Sequence, residues 1–183
     1  MESKSIKVFF LALAVLFVAF GVAGFRINVT PSLPLGIYRL AGPPTVGGPA
    51  FFCLESDEYI RLAEERGYAG AGFCPGGLRP LGKEVYGLPG DRIGLDQGLI
   101  TVNGQALPGS IAKDKDRQGR AMPASLLRPG VIPQGKALML SLHHSGSFDS
   151  RYFGLVPLAA LRPMESVITW NNRRQNFTQG VIP

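Results

Sequence analysis

The sequence predicts a mainly β fold, in which one antiparallel β domain follows an N-terminal transmembrane helix and contains one short soluble helix. The residues from Val8 to Phe25 include no charged side chain, which is typical of a membrane span. Residues 57–66 have the polar pattern and end signals of a surface helix. Most of the remaining chain consists of short apolar runs separated by glycine and proline, of which there are 24 and 15. This spacing favours antiparallel strands joined by tight turns.

The apolar segment near the amino terminus is long enough to cross a membrane. Its eighteen residues would span about 27 Å as a helix, close to the hydrocarbon thickness of a bilayer. The alternative is a cleaved signal peptide ending at Val22-Ala23-Gly24, but the apolar core of such a peptide is usually only about 7 to 15 residues long. We therefore expect the segment to be retained. Lys4 and Lys7 with the amino terminus outweigh Arg26, which predicts a cytoplasmic amino terminus.

Length and charge limit the classes of protein and partner. A chain of 183 residues suits one domain plus an appendage, so we expect a cytoplasmic end and anchor over residues 1–25 and one extracytoplasmic domain over 26–183. The formal charge is +6, but the basic residues are scattered and no basic helix is interleaved with aromatics. The pattern therefore predicts no nucleic-acid partner. Membrane lipid is the polyanion that the apolar segment favours.

Cys53 and Cys74 are the only cysteines. An even count in an oxidising compartment predicts a disulfide between them, and two buried thiols are the alternative. Two cysteines without nearby histidines cannot complete a tetrahedral zinc shell, so we expect no metal.

The first half of the domain contains an extended segment, a short strand and the soluble helix. Ile27–Leu40 is interrupted by prolines and reads as a strand edge or loop. Ala50–Leu54 is a predicted strand. Ser56 is a candidate N-cap for the helix over 57–66, which ends before Gly67.

The second half is predicted to consist of short strands. These are Lys83–Leu88, Asp91–Leu95, Leu99–Val102, Lys136–Leu142, Tyr152–Pro157 and Ser166–Trp170. Asn103-Gly104 predicts a hairpin turn, because both residues readily adopt the positive φ angles of a type I′ turn. Residues 111–120 are polar and predict an exposed loop.

Two side chains could form a catalytic pair. Ser32 lies between Pro31 and Pro34, which would hold its hydroxyl in a reproducible position, although an ordinary loop serine would look the same. Lys83 lies on a half-apolar strand, where burial would lower the pKa of its amine. A neutral lysine can take the proton from a serine hydroxyl, as in known Ser-Lys dyads. The alternative for Lys83 is a solvated strand lysine.

Three segments, in this order, resemble the conserved boxes of type I signal peptidases. They are the runs SLPLGIY from Ser32, KEVYGLPGD from Lys83 and SFDSRYFGLVP from Ser147. The resemblance extends from the apolar segment to residue 157. It implies a signal-peptidase-like β domain, a serine peptidase activity and no cofactor.

The resemblance also implies the role of each site residue. Ser32 matches the family's nucleophile and Lys83 its general base. The hydroxyl of Thr30 and the backbone N–H of Ser32 match the oxyanion hole. Ser147 matches the serine that orients the lysine. Asp149 and Arg151 match an ion pair, for which a structural role is favoured over acid-base chemistry.

Departures from the housekeeping enzymes indicate a subfamily. Leu33 and Glu84 stand where those enzymes usually have methionine and arginine, and Leu142-His143-His144-Ser145 stands near their missing Gly-Asp-Asn-Arg segment. Adjacent histidines on an extended segment point to opposite faces, which argues against a shared metal ion. With the small size and the helix between the cysteines, the chain is similar to TraF-type peptidases of conjugative transfer systems.

The TraF-type resemblance implies a pilin precursor as substrate and, in some members, a cyclic product. It also implies a bacterial inner-membrane location with a periplasmic catalytic domain, and type IV secretion components as partners. The alternatives are a general signal peptidase that cleaves preproteins and a non-catalytic membrane-tethered β scaffold.

Overall fold

A computed structural model of the chain describes residues 2–170. Its first element is helix α1 (Glu2–Val22), in which Ser5–Val22 is long and apolar enough to cross a membrane. The helix therefore matches the expected single N-terminal anchor by length and composition. The end of the predicted domain, residues 171–183, lies outside the described residues.

Within residues 2–170 the chain forms two sheets whose strand pairings are all antiparallel, which confirms the mainly β prediction. The strands are β1 (Phe25–Asn28), β2 (Gly36–Leu40), β3 (Pro49–Phe52), β4 (Leu81–Gly87), β5 (Arg92–Asp96), β6 (Leu99–Val102), β7 (Gln105–Ala106), β8 (Gly130–Val131), β9 (Lys136–Leu140), β10 (Val156–Pro157) and β11 (Arg162–Thr169). The larger sheet has the order β1-β2-β11-β3-β4-β9-β10, and the smaller has the order β7-β6-β5-β8.

The junction between α1 and the larger sheet is short and packed. The carbonyl of Gly24 accepts a hydrogen bond from Leu40 N at 3.0 Å. Gly24 has φ +83°, and a Cβ atom there would lie 3.2 Å from the Leu40 side chain, so glycine suits both the turn and the close approach. Because β1 starts at Phe25, the larger sheet begins within three residues of the end of α1.

The predicted soluble helix is confirmed as α2 (Asp57–Arg66). Ser56 occupies the N-cap position, but its hydroxyl makes no capping hydrogen bond. Gly67 ends the helix with φ 66°, as a C-terminal glycine commonly does. The hairpin turn is also confirmed, because Asn103 and Gly104 have φ 51° and 82° between paired residues of β6 and β7.

The predicted strand Tyr152–Pro157 is wrong over its first half. Residues Ser150–Phe153 form a short helix, α3, and only Val156–Pro157 pair as β10. The Asp149 carboxylate caps α3 by accepting a hydrogen bond from Arg151 N at 3.2 Å. The β preference of an apolar run depends on its context, and here the local cap favours a helical turn instead.

The main core lies between the larger sheet and α2. Its buried members include Ala50 and Phe52 of β3, Ala63 of α2, and Phe148. The structure contains the expected disulfide, with the Cα atoms of Cys53 and Cys74 5.5 Å apart. The bridge closes the excursion that carries α2, and a loop of this length contributes about 3 kcal/mol in the chain-entropy description.

Candidate active site

The loop that carries Ser32 is fixed by a buried asparagine at the end of β1. Asn28 is 3% exposed, and its Nδ2 donates hydrogen bonds to the carbonyls of Thr30, Leu33 and Pro34 at 2.9, 3.0 and 3.0 Å. Sequence reasoning missed Asn28. The available signal was an asparagine immediately before a proline-rich loop, a position where its side chain often bonds to nearby backbone.

Strand β4 directs Lys83 to Ser32. Lys83 is 2% exposed, and its Nζ lies 3.0 Å from Ser32 Oγ and 2.8 Å from Ser147 Oγ. It pairs with Ala50 of β3 and lies on the buried side of a strand between two other strands. The structure therefore brings together three residues that are far apart in sequence.

Burial changes the acid-base properties of Lys83. Removal from water lowers the pKa of the amine from 10.5 to about 8. Asp149 acts in the opposite direction, while the positive charge of Arg151 lowers the pKa further. A substantial fraction of the Lys83 amine can thus be neutral near pH 8, as a general base requires.

A second serine, Ser141, holds the backbone of Ser32. Ser141 is fully buried, and its Oγ donates a hydrogen bond to the Ser32 carbonyl at 2.7 Å. Its backbone N–H donates to Asp149 Oδ2 at 3.0 Å. Sequence reasoning missed Ser141 because it bonds to backbone 109 residues away, and no local pattern encodes that contact.

Asp149 and Arg151 form a buried ion pair beneath the site. Their side chains are 0% and 2% exposed, and Arg151 Nε and Nη2 each lie 2.8 Å from a carboxylate oxygen of Asp149. Arg151 Nη2 also donates to the carbonyls of Ser141 and Ser147, both at 3.4 Å. The pair therefore contacts the two serines that position Ser32 and Lys83. This geometry fits the structural role that the resemblance implied.

Thr30 lies in the same loop as Ser32, but its hydroxyl is already used. Thr30 Oγ1 donates to Asn28 Oδ1 at 2.8 Å. In this state it does not point a free donor towards Ser32 or Lys83. By contrast, the backbone N–H of Ser32 makes no hydrogen bond to the residues that the structure describes.

The two adjacent histidines have different neighbours. His143 Nε2 lies 2.8 Å from Glu84 Oε1. His144 packs against Gly146, and burial followed by the positive charge of Arg117 lowers its pKa. They do not converge on a common point.

The candidate residues open onto a groove of about 1050 Å³. Ser32, Lys83 and Ser147 line it, and so does Cys53 from the disulfide. Its other walls come from residues 26–31, 66–70, 79–82 and 116–118. A groove of this size can hold an extended segment of peptide beside the Ser32 hydroxyl.

Known proteins share the sequence pattern over most of the chain. The family described as "Signal peptidase, peptidase S26" matches residues 2–170. The chain is 38% identical over 151 residues to the probable conjugal transfer protein TraF of Sinorhizobium fredii, which covers 80% of this chain and 78% of that protein. It is 34% identical over 150 residues to a plasmid transfer protein TraF of Escherichia coli, covering 81% and 84% respectively. A crystal structure of a signal peptidase I from Enterococcus faecalis V583 aligns with a TM-score of 0.40 at 18% identity, over 68% of this chain and 98% of that one.

Proposed function

The chain belongs to the signal peptidase family, peptidase S26, and from this premise we propose that it is a serine endopeptidase with Ser32 as nucleophile and Lys83 as general base. The observation that carries the proposal is the 3.0 Å contact between Lys83 Nζ and Ser32 Oγ. The amine is buried and its pKa is lowered to about 8, which favours the neutral base. The second contact, from Nζ to Ser147 Oγ, holds the amine in place.

In the acylation step, Ser32 Oγ forms a bond to the carbonyl carbon of the scissile peptide. Lys83 takes the hydroxyl proton as this bond forms, and the carbonyl oxygen becomes an oxyanion. The peptide C–N bond then breaks, and Lys83 returns the proton to the departing amine. Ser32 is left as an ester of the acyl fragment.

The backbone N–H of Ser32 is the first donor for the oxyanion. Donors of this kind commonly lower acyl-transfer barriers by about 3 kcal/mol, because the charge that they meet appears only in the transition state. Thr30 would be the second donor, and for this its hydroxyl must exchange the Asn28 oxygen for the oxyanion.

In the second step, water or an amine attacks the ester while Lys83 again removes a proton. An attacking water gives a hydrolysed product, whereas the substrate's own terminal amine gives a cyclic one. The relatives that carry the name of TraF transfer proteins support a role in conjugative transfer. With the resemblance to TraF-type peptidases, they favour a pilin precursor over general preproteins as the substrate.

The location that fits this role is the bacterial inner membrane, with α1 as a single anchor and the catalytic domain in the periplasm. The short junction at Gly24 would then keep the groove close to the bilayer surface, where a membrane-bound precursor presents its cleavage site. Membrane lipid and type IV secretion components are the expected partners there.

The test measures cleavage of the pilin precursor from the same transfer system in cells that express each full-length variant. Mass spectrometry of the precursor and its products gives the extent of cleavage. Ser32→Ala and Lys83→Ala should each lower the rate by at least about 10³-fold, because removal of one member disables the pair. Ser166→Ala and Lys136→Ala, which change residues outside the groove, should cleave like the wild type.

Two further results separate the alternatives. Unchanged cleavage by either dyad variant would refute the proposed chemistry and leave a tethered scaffold. Rescue of a host that lacks its own signal peptidase would instead indicate general preprotein processing. Covalent labelling of Ser32 by an acylating inhibitor gives an independent measure of its reactivity.

A further inference from the structure

The groove is lined by an excess of arginine. Five arginines line it: Arg26, Arg66, Arg79, Arg117 and Arg162. The carboxylates that line it are Glu55 and Asp116. The wall of the candidate site is therefore positively charged even when the amine of Lys83 is neutral.

None of these arginines is in an ion pair within residues 5–170, the part whose side chains the structure describes. The negative charge of Asp116 is already balanced by Arg120, with which it forms an ion pair at 2.6 Å. It accepts hydrogen bonds from Tyr68 Oη at 2.8 Å, from Arg120 Nε at 2.6 Å and from two backbone N–H groups. Burial alone would raise the pKa of Asp116, but these hydrogen bonds outweigh it and lower the pKa to about 2.

The hydrogen bonds of Asp116 also fix the loop that presents Arg117. Arg120 Nη2 donates to the carbonyl of Arg66 at 3.2 Å, and Arg66 Nη1 donates to the carbonyl of Ala121 at 2.7 Å. These contacts dock the loop on the end of α2. Arg117 stands on this fixed backbone, and in the described part of the chain its guanidinium makes no hydrogen bond or ion pair.

Arg117 is the groove arginine that packs against the residue before Ser147. A Cβ atom at Gly146 would lie 3.7 Å from Arg117 Cγ. Ser147 in turn accepts the hydrogen bond from Lys83 Nζ. The stem of Arg117 thus lies beside the segment that carries Ser147, and its charge acts on the neighbouring His144, whose pKa it lowers after the larger effect of burial.

An acidic peptide fits this arrangement better than lipid headgroups do. Arg26, at the anchor, already donates to the carbonyls of Gly21 and Phe25 at 2.9 and 2.7 Å, as expected for an arginine next to a membrane helix. Arg117 instead lines the groove beside Gly146, on a wall that an extended substrate would contact. A guanidinium with five unused donors matches the geometry of a carboxylate.

We propose that Arg117 is a specificity residue that recognises an acidic side chain of the substrate close to the scissile bond. The inference rests on the proposed peptidase function of the same groove. The carboxylate would replace water around Arg117, and the unpaired arginines of the other walls would raise the local concentration of acidic segments. Peptides with lysine at the same position would be repelled.

The binding test uses the full-length Ser32→Ala variant in non-ionic detergent, which separates recognition from cleavage. Fluorescent decapeptides of alanine, glycine and serine carry one glutamate at each position in turn, with glutamine and lysine versions of each. Fluorescence anisotropy should show at least one position where glutamate binds about two- to fivefold tighter than glutamine, the range of a partly exposed charge pair. In 0.5 M NaCl the preference should shrink.

Charge reversal at Arg117 provides the decisive comparison. In the Ser32→Ala background, Arg117→Glu should invert the preference from glutamate to lysine. Arg92→Glu, the same charge change on an exposed residue of the smaller sheet, should leave it unaltered. No preference at any position, including no binding at all, would overturn the proposal, and so would a preference that survives Arg117→Glu.

Vesicles that contain phosphatidylglycerol test lipid as the alternative ligand. If Arg117→Glu weakens vesicle binding and leaves the peptide preference unchanged, Arg117 contacts lipid and the proposal fails. The proposed function has its own readout, which is cleavage by the Ser32-containing enzyme. Loss of the acidic preference with cleavage intact would therefore reject only the specificity inference.

Discussion

Cleavage by a Ser-Lys pair should depend on pH in a way that the burial of Lys83 determines. As the proposed general base, Lys83 can take a proton only when its amine is neutral, so activity should rise as pH increases through the pKa of that amine. Removal from water lowers this pKa from 10.5 to about 8. The experiment therefore varies the pH from 6 to 10 at constant ionic strength.

The expected size of the pH effect follows from the fraction of Lys83 whose amine is neutral. With a pKa of about 8, roughly a tenth of Lys83 is neutral at pH 7 and roughly nine tenths at pH 9. A lysine with its ordinary pKa of 10.5 would be neutral in only about 0.03% of molecules at pH 7. Burial thus raises the neutral fraction of the Lys83 amine at pH 7 about 300-fold.

The assay is kcat/KM of the full-length enzyme in detergent, because this constant reports the pKa of the free enzyme. Circular dichroism at each pH shows that the protein stays folded. We expect kcat/KM to rise about tenfold from pH 7 to 9 and then to level off. A midpoint near 6.5 would point to a histidine base, a midpoint near 10.5 would indicate a solvated lysine, and a flat profile would exclude Lys83 as the base.

Two substitutions test the support of the dyad. Ser141→Ala removes the hydrogen bond to the carbonyl of the candidate nucleophile and should lower kcat about tenfold with little change in KM, since misplacement of reacting groups mainly slows the chemical step. Ser145→Ala in the same loop is the matched control. An unchanged kcat for Ser141→Ala would show that Ser141 does not position the site. Asp149→Asn leaves the buried Arg151 without its charge partner and should lower the free energy of unfolding by about 3 to 5 kcal/mol, whereas Asp96→Asn on exposed β5 should have little effect. A large fall in kcat for Asp149→Asn at unchanged melting temperature would contradict the structural role.

The chemistry-bearing residues were predictable where the sequence carries a local pattern. Proline on both sides of Ser32 and the half-apolar strand around Lys83 are local signatures, whereas the run from Ser147 to Arg151 was recognised only by its resemblance to a conserved box of signal peptidases. Helix α2 was predictable from its acidic first turn and terminal Gly67, which are local signals. The helix α3 was missed because its start depends on the cap by Asp149, a residue whose other partners lie in the buried site.

The supporting residues were not predictable in the same way. Ser141 looks like an ordinary polar residue in sequence, and Asn28 offered only its place before the proline-rich loop. The importance of both comes from hydrogen bonds to the loop around Ser32. Arg117 likewise belongs to a segment that sequence reasoning treated only as an exposed loop.

Composition and short-range pattern were enough to predict the apolar N-terminal helix, the β class of the domain and the cysteine pair, while Ser32 and Lys83 were singled out as candidates by their family resemblance. Only the tertiary structure decided that Lys83 is buried and lies 3.0 Å from Ser32, since two segments 51 residues apart must be brought together by the sheet. Burial, and with it the lowered pKa of the amine, is a property of the surroundings that the packed fold creates.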